Sequence, residues 1–87
     1  LINVARGSVV DQDELIYSLK NNVILAAGLD VYVNEPNIPK ELIDLKNTVL
    51  LPHVASATVE TRNSMGQLVF DNIKIFFEGK PLISPVV

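Results

Sequence analysis

Eighty-seven residues, 48% of them apolar, make at most one small domain, and seven Lys and Arg against ten Asp and Glu leave a net charge of −3. That balance, with no basic run, argues against a nucleic-acid surface. No apolar stretch approaches the ~20 residues of a membrane helix, and the absence of cysteine excludes disulfides and thiolate metal sites and fits a reducing compartment.

A chain of this size buries only ~60–65% of its unfolded surface. Its apolar richness therefore points to surface meant for something outside the chain. Leu1 opens the sequence inside a strand pattern without an initiator methionine, so the expected setting is the C-terminal part of a longer protein.

Leu1–Ala5 predicts a short buried strand, broken by Arg6-Gly7. Asp11 can cap the helix that follows and Glu14 can reach back, as in a capping box, with Val10 and Leu15 at the staple positions. Asp13 and Glu14 suit the positive end of its dipole. Leu15, Ile16 and Leu19 give it an apolar face, and Asn21-Asn22 supply left-handed terminators. Ile24–Val31 is nearly all apolar without alternation, the pattern of a parallel strand covered on both faces. Asp30 interrupts that run near its carboxyl end, where a carboxylate needs a partner or ligand, or caps the next turn.

Val33–Pro39 is a loop stiffened by two prolines, and Glu35 before Pro36 is biased to extended geometry. Glu41–Leu45 reads as one helical turn and Thr48–Leu51 as a third strand, which Pro52 terminates. A long amphipathic helix is predicted from Thr58 to Glu78, capped by Ser56 or Thr58 and stopped at Gly79-Lys80-Pro81. Its stripe of Met65, Leu68, Val69, Ile73, Phe76 and Phe77 reads as core packing, although the two phenylalanines have no evident partner in so short a chain. The tail Leu82–Val87 is extended and apolar.

The order β-α-β-turn-β-α predicts parallel strands joined by right-handed crossovers. Arg6, then Asp30 with Glu35, then His53 follow three successive strands, so all share the carboxyl edge, where open α/β sheets bind ligands. A lone histidine is more often structural than catalytic; its company raises His53 above that. Arginine grips a planar carboxylate with two parallel hydrogen bonds. Histidine moves a proton near neutral pH, and a neighbouring carboxylate orients it and favours its charged form.

Asn3-Val4-Ala5-Arg6-Gly7, Gly28-Leu29-Asp30-Val31 with Glu35-Pro36, and Pro52-His53-Val54-Ala55-Ser56-Ala57-Thr58 with Glu60-Thr61-Arg62 closely resemble the NAD(P)-dependent D-2-hydroxyacid dehydrogenases across essentially the whole chain. The resemblance implies an α/β fold: the C-terminal half of a Rossmann-like doubly wound parallel sheet over residues 1–57, then a long helix and tail, 58–87, returning to a substrate domain that is missing from this chain. It implies Arg6 as the substrate-binding arginine, His53 as the acid/base and Glu35 as its partner. Asp30 would lie beside the nicotinamide carboxamide, and Ala5, Arg6, His53 and Ala55 would also meet the cofactor, NAD or NADP.

The substrate implied is a small 2-oxo or 2-hydroxy acid. The ending Gly79-Lys80-Pro81-Leu82 and the run Ser56–Arg62 favour the glyoxylate/hydroxypyruvate reductases, and a formate dehydrogenase is expected to carry glutamine where Glu35 stands. The whole protein is expected to be a cytoplasmic homodimer. One departure matters: no Gly-x-Gly-x-x-Gly is present, so the pyrophosphate site and the residues choosing NAD or NADP lie outside this sequence. The competing reading is a binding protein on the same fold, such as a dehydrogenase-like transcriptional corepressor.

Overall fold

Three short strands alternate with helices in the predicted order. A computed structural model describes residues 1–86, and these fall into two units, Leu1–Ala55 and a second beginning at Ser56.

In the first unit β1 (Ile2–Asn3), β2 (Ala27–Leu29) and β3 (Thr48–Leu50) form a parallel sheet in the order β1-β2-β3. The register sets Ile2 opposite Gly28 and Asn3 opposite Leu29, then Gly28 opposite Val49 and Leu29 opposite Leu50. Helices α1 (Gln12–Lys20) and α2 (Lys40–Ile43) lie between the strands in sequence. Their buried Leu15, Ile16, Leu19 and Leu42 pack with Ala27, Leu29 and Tyr32 into one core.

That core covers a single face of the sheet. Ile2, Gly28 and Val49 stand in one cross-strand row on the other face, where Ile2 is 82% and Val49 63% exposed. Two expectations are corrected here. The central strand is not covered on both faces by this chain, and the first segment is not a buried strand, because of Leu1–Ala5 only Asn3 is buried. Unbroken apolar runs record burial in the finished protein, and the helices of this chain supply one layer of it.

Helix α1 begins as its sequence requires. Asp11 Oδ1 accepts from the backbone N–H groups of Asp13 and Glu14, each at 3.1 Å. The reciprocal bond from Glu14 is not among those of the described residues. Asn22, at φ +54°, takes the left-handed turn that ends the helix.

The second unit is α3 (Val59–Phe77) with its tail. Thr58 is its cap, accepting from Thr61 N at 3.1 Å, and Gly79 at φ +69° ends it. Asn72 Oδ1 accepts from the amides of Ile83 and Ser84, so the tail turns back along the helix. The stripe read as core packing is exposed, from 42% at Leu68 to 83% at Phe77. Residue 87, the last of the predicted tail, lies outside the described residues. No helix among the described residues is long and apolar enough to cross a membrane.

Candidate active site

The sheet's carboxyl edge gathers the polar residues. The last rung of β3 is Leu51 N donating to Leu29 O at 2.8 Å. Pro52 then removes the next donor, and His53 turns the chain at φ +56°. The left-handed region is costly for a residue with a side chain, so something must hold it there. That hold is Asp30, which is 1% exposed at the end of β2. Its Oδ1 accepts from Val54 N and its Oδ2 from Ala55 N, both at 2.7 Å. Two successive N–H groups converge on one carboxylate, as in a backbone nest.

The Val54 hydrogen bond, with that of Ala55, lowers the Asp30 pKa below its ordinary value against the raising effect of burial. Stability from a carboxylate so lowered is complete above the ordinary carboxylate range and is lost as pH falls through the depressed value. An Asp30→Asn variant offers one acceptor and turns its amide N–H2 toward a donor. Its melting temperature should fall below wild type at pH 7, and the gap should narrow below about pH 4. Thermal unfolding across pH checks this; a gap independent of pH contradicts it.

His53 Nδ1 lies 2.7 Å from Glu35 Oε2, with the side chains 46% and 33% exposed. The other carboxylate oxygen, Oε1, accepts from Tyr32 N at 2.9 Å. These contacts, His53 first and Tyr32 second, lower the pKa of Glu35, which stays ionised through the neutral range. With Nδ1 committed to Glu35, Nε2 is the ring nitrogen left for a substrate. Pro36, Ile38 and Pro52 line the hollow beside the pair.

Arg6 follows β1 on the same edge and is exposed. Its Nη1 donates to Ala5 O at 2.6 Å. Among the described residues no hydrogen bond or ion pair joins it to Glu35 or His53. The structure thus brings Glu35 and His53 together beside the Val54–Ala55 amides held by Asp30, while Arg6 shares only the sheet edge, after β1. Buried Asn3 shapes that loop: its Oδ1 accepts from Ala5 N at 3.1 Å, and its Nδ2 donates to Arg6 O at 2.9 Å. The amides of Ala5 and Ala55 are therefore both occupied within the chain.

Sequence reasoning missed Asn3, Gly7 and Tyr32. A signal for Asn3 was its type, since asparagine commonly bonds the backbone two residues on. A Cβ on Gly7 would stand 2.1 Å from the backbone carbonyl carbon of Tyr32, so only glycine lets these loops touch. Nothing local signals that contact.

These residues lie on the carboxyl edge of a parallel sheet, where open α/β sheets bind ligands, and the sequence holds no glycine-rich strand-to-helix turn for a pyrophosphate. The fold is that of part of a Rossmann-like nucleotide-binding domain. The family described as D-isomer specific 2-hydroxyacid dehydrogenase, NAD binding domain, matches residues 1–55, and the chain belongs to it.

A glyoxylate/hydroxypyruvate reductase A of Arabidopsis thaliana is 53% identical over all 87 residues, which are 28% of its length. A hydroxyphenylpyruvate reductase of Plectranthus scutellarioides is 52% identical over the same span, again 28% of its length. The solved structure of an NADPH-dependent glyoxylate/hydroxypyruvate reductase from Sinorhizobium meliloti, in complex with NADP and malonate, superposes with a TM-score of 0.89 at 53% identity. It is matched over 100% of this chain and 27% of that one. The chain therefore spans little more than a quarter of the length of these relatives.

Proposed function

We propose that this chain is the acid/base portion of an NAD(P)-dependent reductase of small 2-oxo acids, of the glyoxylate or hydroxypyruvate type. The observation that carries the reading is the 2.7 Å Glu35–His53 pair on the carboxyl edge of a parallel sheet, with Arg6 on the same edge. The bound nicotinamide supplies the hydride. Arg6 grips the acid's carboxylate. His53 Nε2 gives a proton to the carbonyl oxygen, while Glu35 fixes the ring through Nδ1 and supplies a negative partner for its charged form. In oxidation neutral His53 takes the proton back. Ala5 and Ala55 flank the nicotinamide end, with Asp30 beneath it holding the Val54–Ala55 backbone in place.

The same reading assigns residues 1–57 to the dinucleotide-binding domain and 58–87 to a segment whose exposed apolar stripe is covered by the substrate domain of the whole protein. A cytoplasmic homodimer that binds neither nucleic acid nor membrane belongs to it too, supported by the family resemblance and the acidic, cysteine-free composition.

The test is turnover by the intact protein of glyoxylate and hydroxypyruvate with NADH and with NADPH, followed by loss of reduced cofactor. Turnover with either cofactor is expected. Cofactor binding without turnover of any 2-oxo acid would favour the corepressor-like alternative. In Arg6→Lys the charge stays but the two-pronged grip goes. KM for the 2-oxo acid should then rise about tenfold, the worth of one charge-assisted hydrogen bond.

A further inference from the structure

Tyr32 stands where three loops of the first unit meet, and none of the proposed chemistry uses it. It is 6% exposed and belongs to the core. Its backbone N–H donates to Glu35 Oε1 at 2.9 Å. Its hydroxyl lies 2.8 Å from Leu51 O and 3.1 Å from Leu29 O. Leu51 is two residues ahead of His53 and Leu29 is one ahead of Asp30. Its own carbonyl is the surface on which Gly7, next to Arg6, closes.

A phenylalanine would fill the same core volume. The hydroxyl therefore has a different task. Its single proton is shared between two main-chain acceptors, Leu51 O at 2.8 Å beyond β3 and Leu29 O at 3.1 Å at the end of β2, while the main chain of the same residue holds Glu35. One rigid side chain thus fixes the distance between the glutamate loop and the histidine loop. Burial raises the phenol's pKa, so the hydroxyl remains a donor throughout the working range.

We infer that Tyr32 is a positioning residue for the Glu35–His53 pair, with its hydroxyl pinning the His53 loop at the distance its backbone sets for Glu35. The inference deepens the proposed function and rests on that reading for its kinetic consequence alone; the geometry can be tested without catalysis.

The experiment is Tyr32→Phe in the intact protein, with the Glu35 side-chain carboxyl titrated by carbon-13 NMR and His53→Ala as the reference for a fully released carboxyl. Loosening the pair should raise the Glu35 titration midpoint part of the way toward that reference. kcat/KM for a 2-oxo acid should fall roughly five- to tenfold, the worth of one hydrogen bond, with kcat rather than KM carrying the loss. A Glu35 midpoint equal to wild type, with only the melting temperature lowered, would make Tyr32 a core residue and overturn the inference.

A wild-type measurement guards against a variant that does not fold. The Tyr32 amide resonance should shift with pH at the Glu35 midpoint, and a flat Tyr32 amide also overturns the inference. If the titrations behave as expected but no 2-oxo acid is turned over, the functional reading fails and the positioning stands.

Discussion

Replacing His53 with alanine in the whole protein should lower kcat for 2-oxo acid reduction by roughly 10²–10⁴-fold, the usual worth of a positioned acid/base. KM should change little if, as proposed, Arg6 holds the substrate's carboxylate. The stronger discrimination comes from Glu35→Gln. A glutamine can still accept from Tyr32 N and present its amide N–H2 to His53 Nδ1. It thereby holds a neutral ring in place but gives an imidazolium no negative partner. Orientation survives and charge stabilisation does not.

The carboxylate whose pKa the His53 contact lowers would be gone. The pH profile of kcat/KM should therefore differ from wild type, and because Glu35 and His53 interact closely that difference belongs to the pair. The check is the pH profile of wild type and variant side by side; superimposable profiles would remove Glu35 from the mechanism.

Gly7→Ala should be nearly as damaging, by another route. The added Cβ would meet the carbonyl carbon, the carbonyl oxygen and the following amide nitrogen of the Tyr32–Val33 link at 2.1, 2.2 and 2.4 Å. These are backbone atoms and cannot swing away as a flexible side chain can. One loop must move, carrying either Arg6 or the Tyr32–Glu35 segment with it. Overpacking of this kind costs about 1–3 kcal/mol and more where the backbone is fixed. Both the melting temperature and kcat/KM should fall, with KM rising through displaced Arg6. A stable Gly7→Ala protein with wild-type kinetics would show that the two loops are not coupled.

The sheet was legible because its signals are local. Alternating apolar runs and capped helices predicted the parallel order, and Asp11, Asn22, Thr58 and Gly79 each do what their residue type suggests at a helix end. The shared edge of Arg6, Asp30 and His53 followed from topology. What stayed hidden depends on contacts across the fold. Asp30 could be read as a cap, a ligand or a partner, and only folding shows that its two oxygens hold the amides of Val54 and Ala55. Tyr32 reads as one more apolar residue until its hydroxyl is seen between two strand ends. The exposed stripe of α3 shows the opposite limit: periodicity reports that a face is apolar, not which molecule covers it.

The row formed by Ile2, Gly28 and Val49 bears on how the chain behaves by itself. It is apolar and uncovered, and β1 and β3 each pair on one side only, leaving rows of backbone donors and acceptors open at both margins of the sheet. Such a surface is a template on which further strands can add. Concentrating the isolated 87 residues should therefore promote colloidal association through the bare sheet, and a net charge of only −3 offers weak repulsion against it. Charged substitutions at Ile2 and Val49 should keep the isolated chain dispersed at concentrations where the natural sequence clouds.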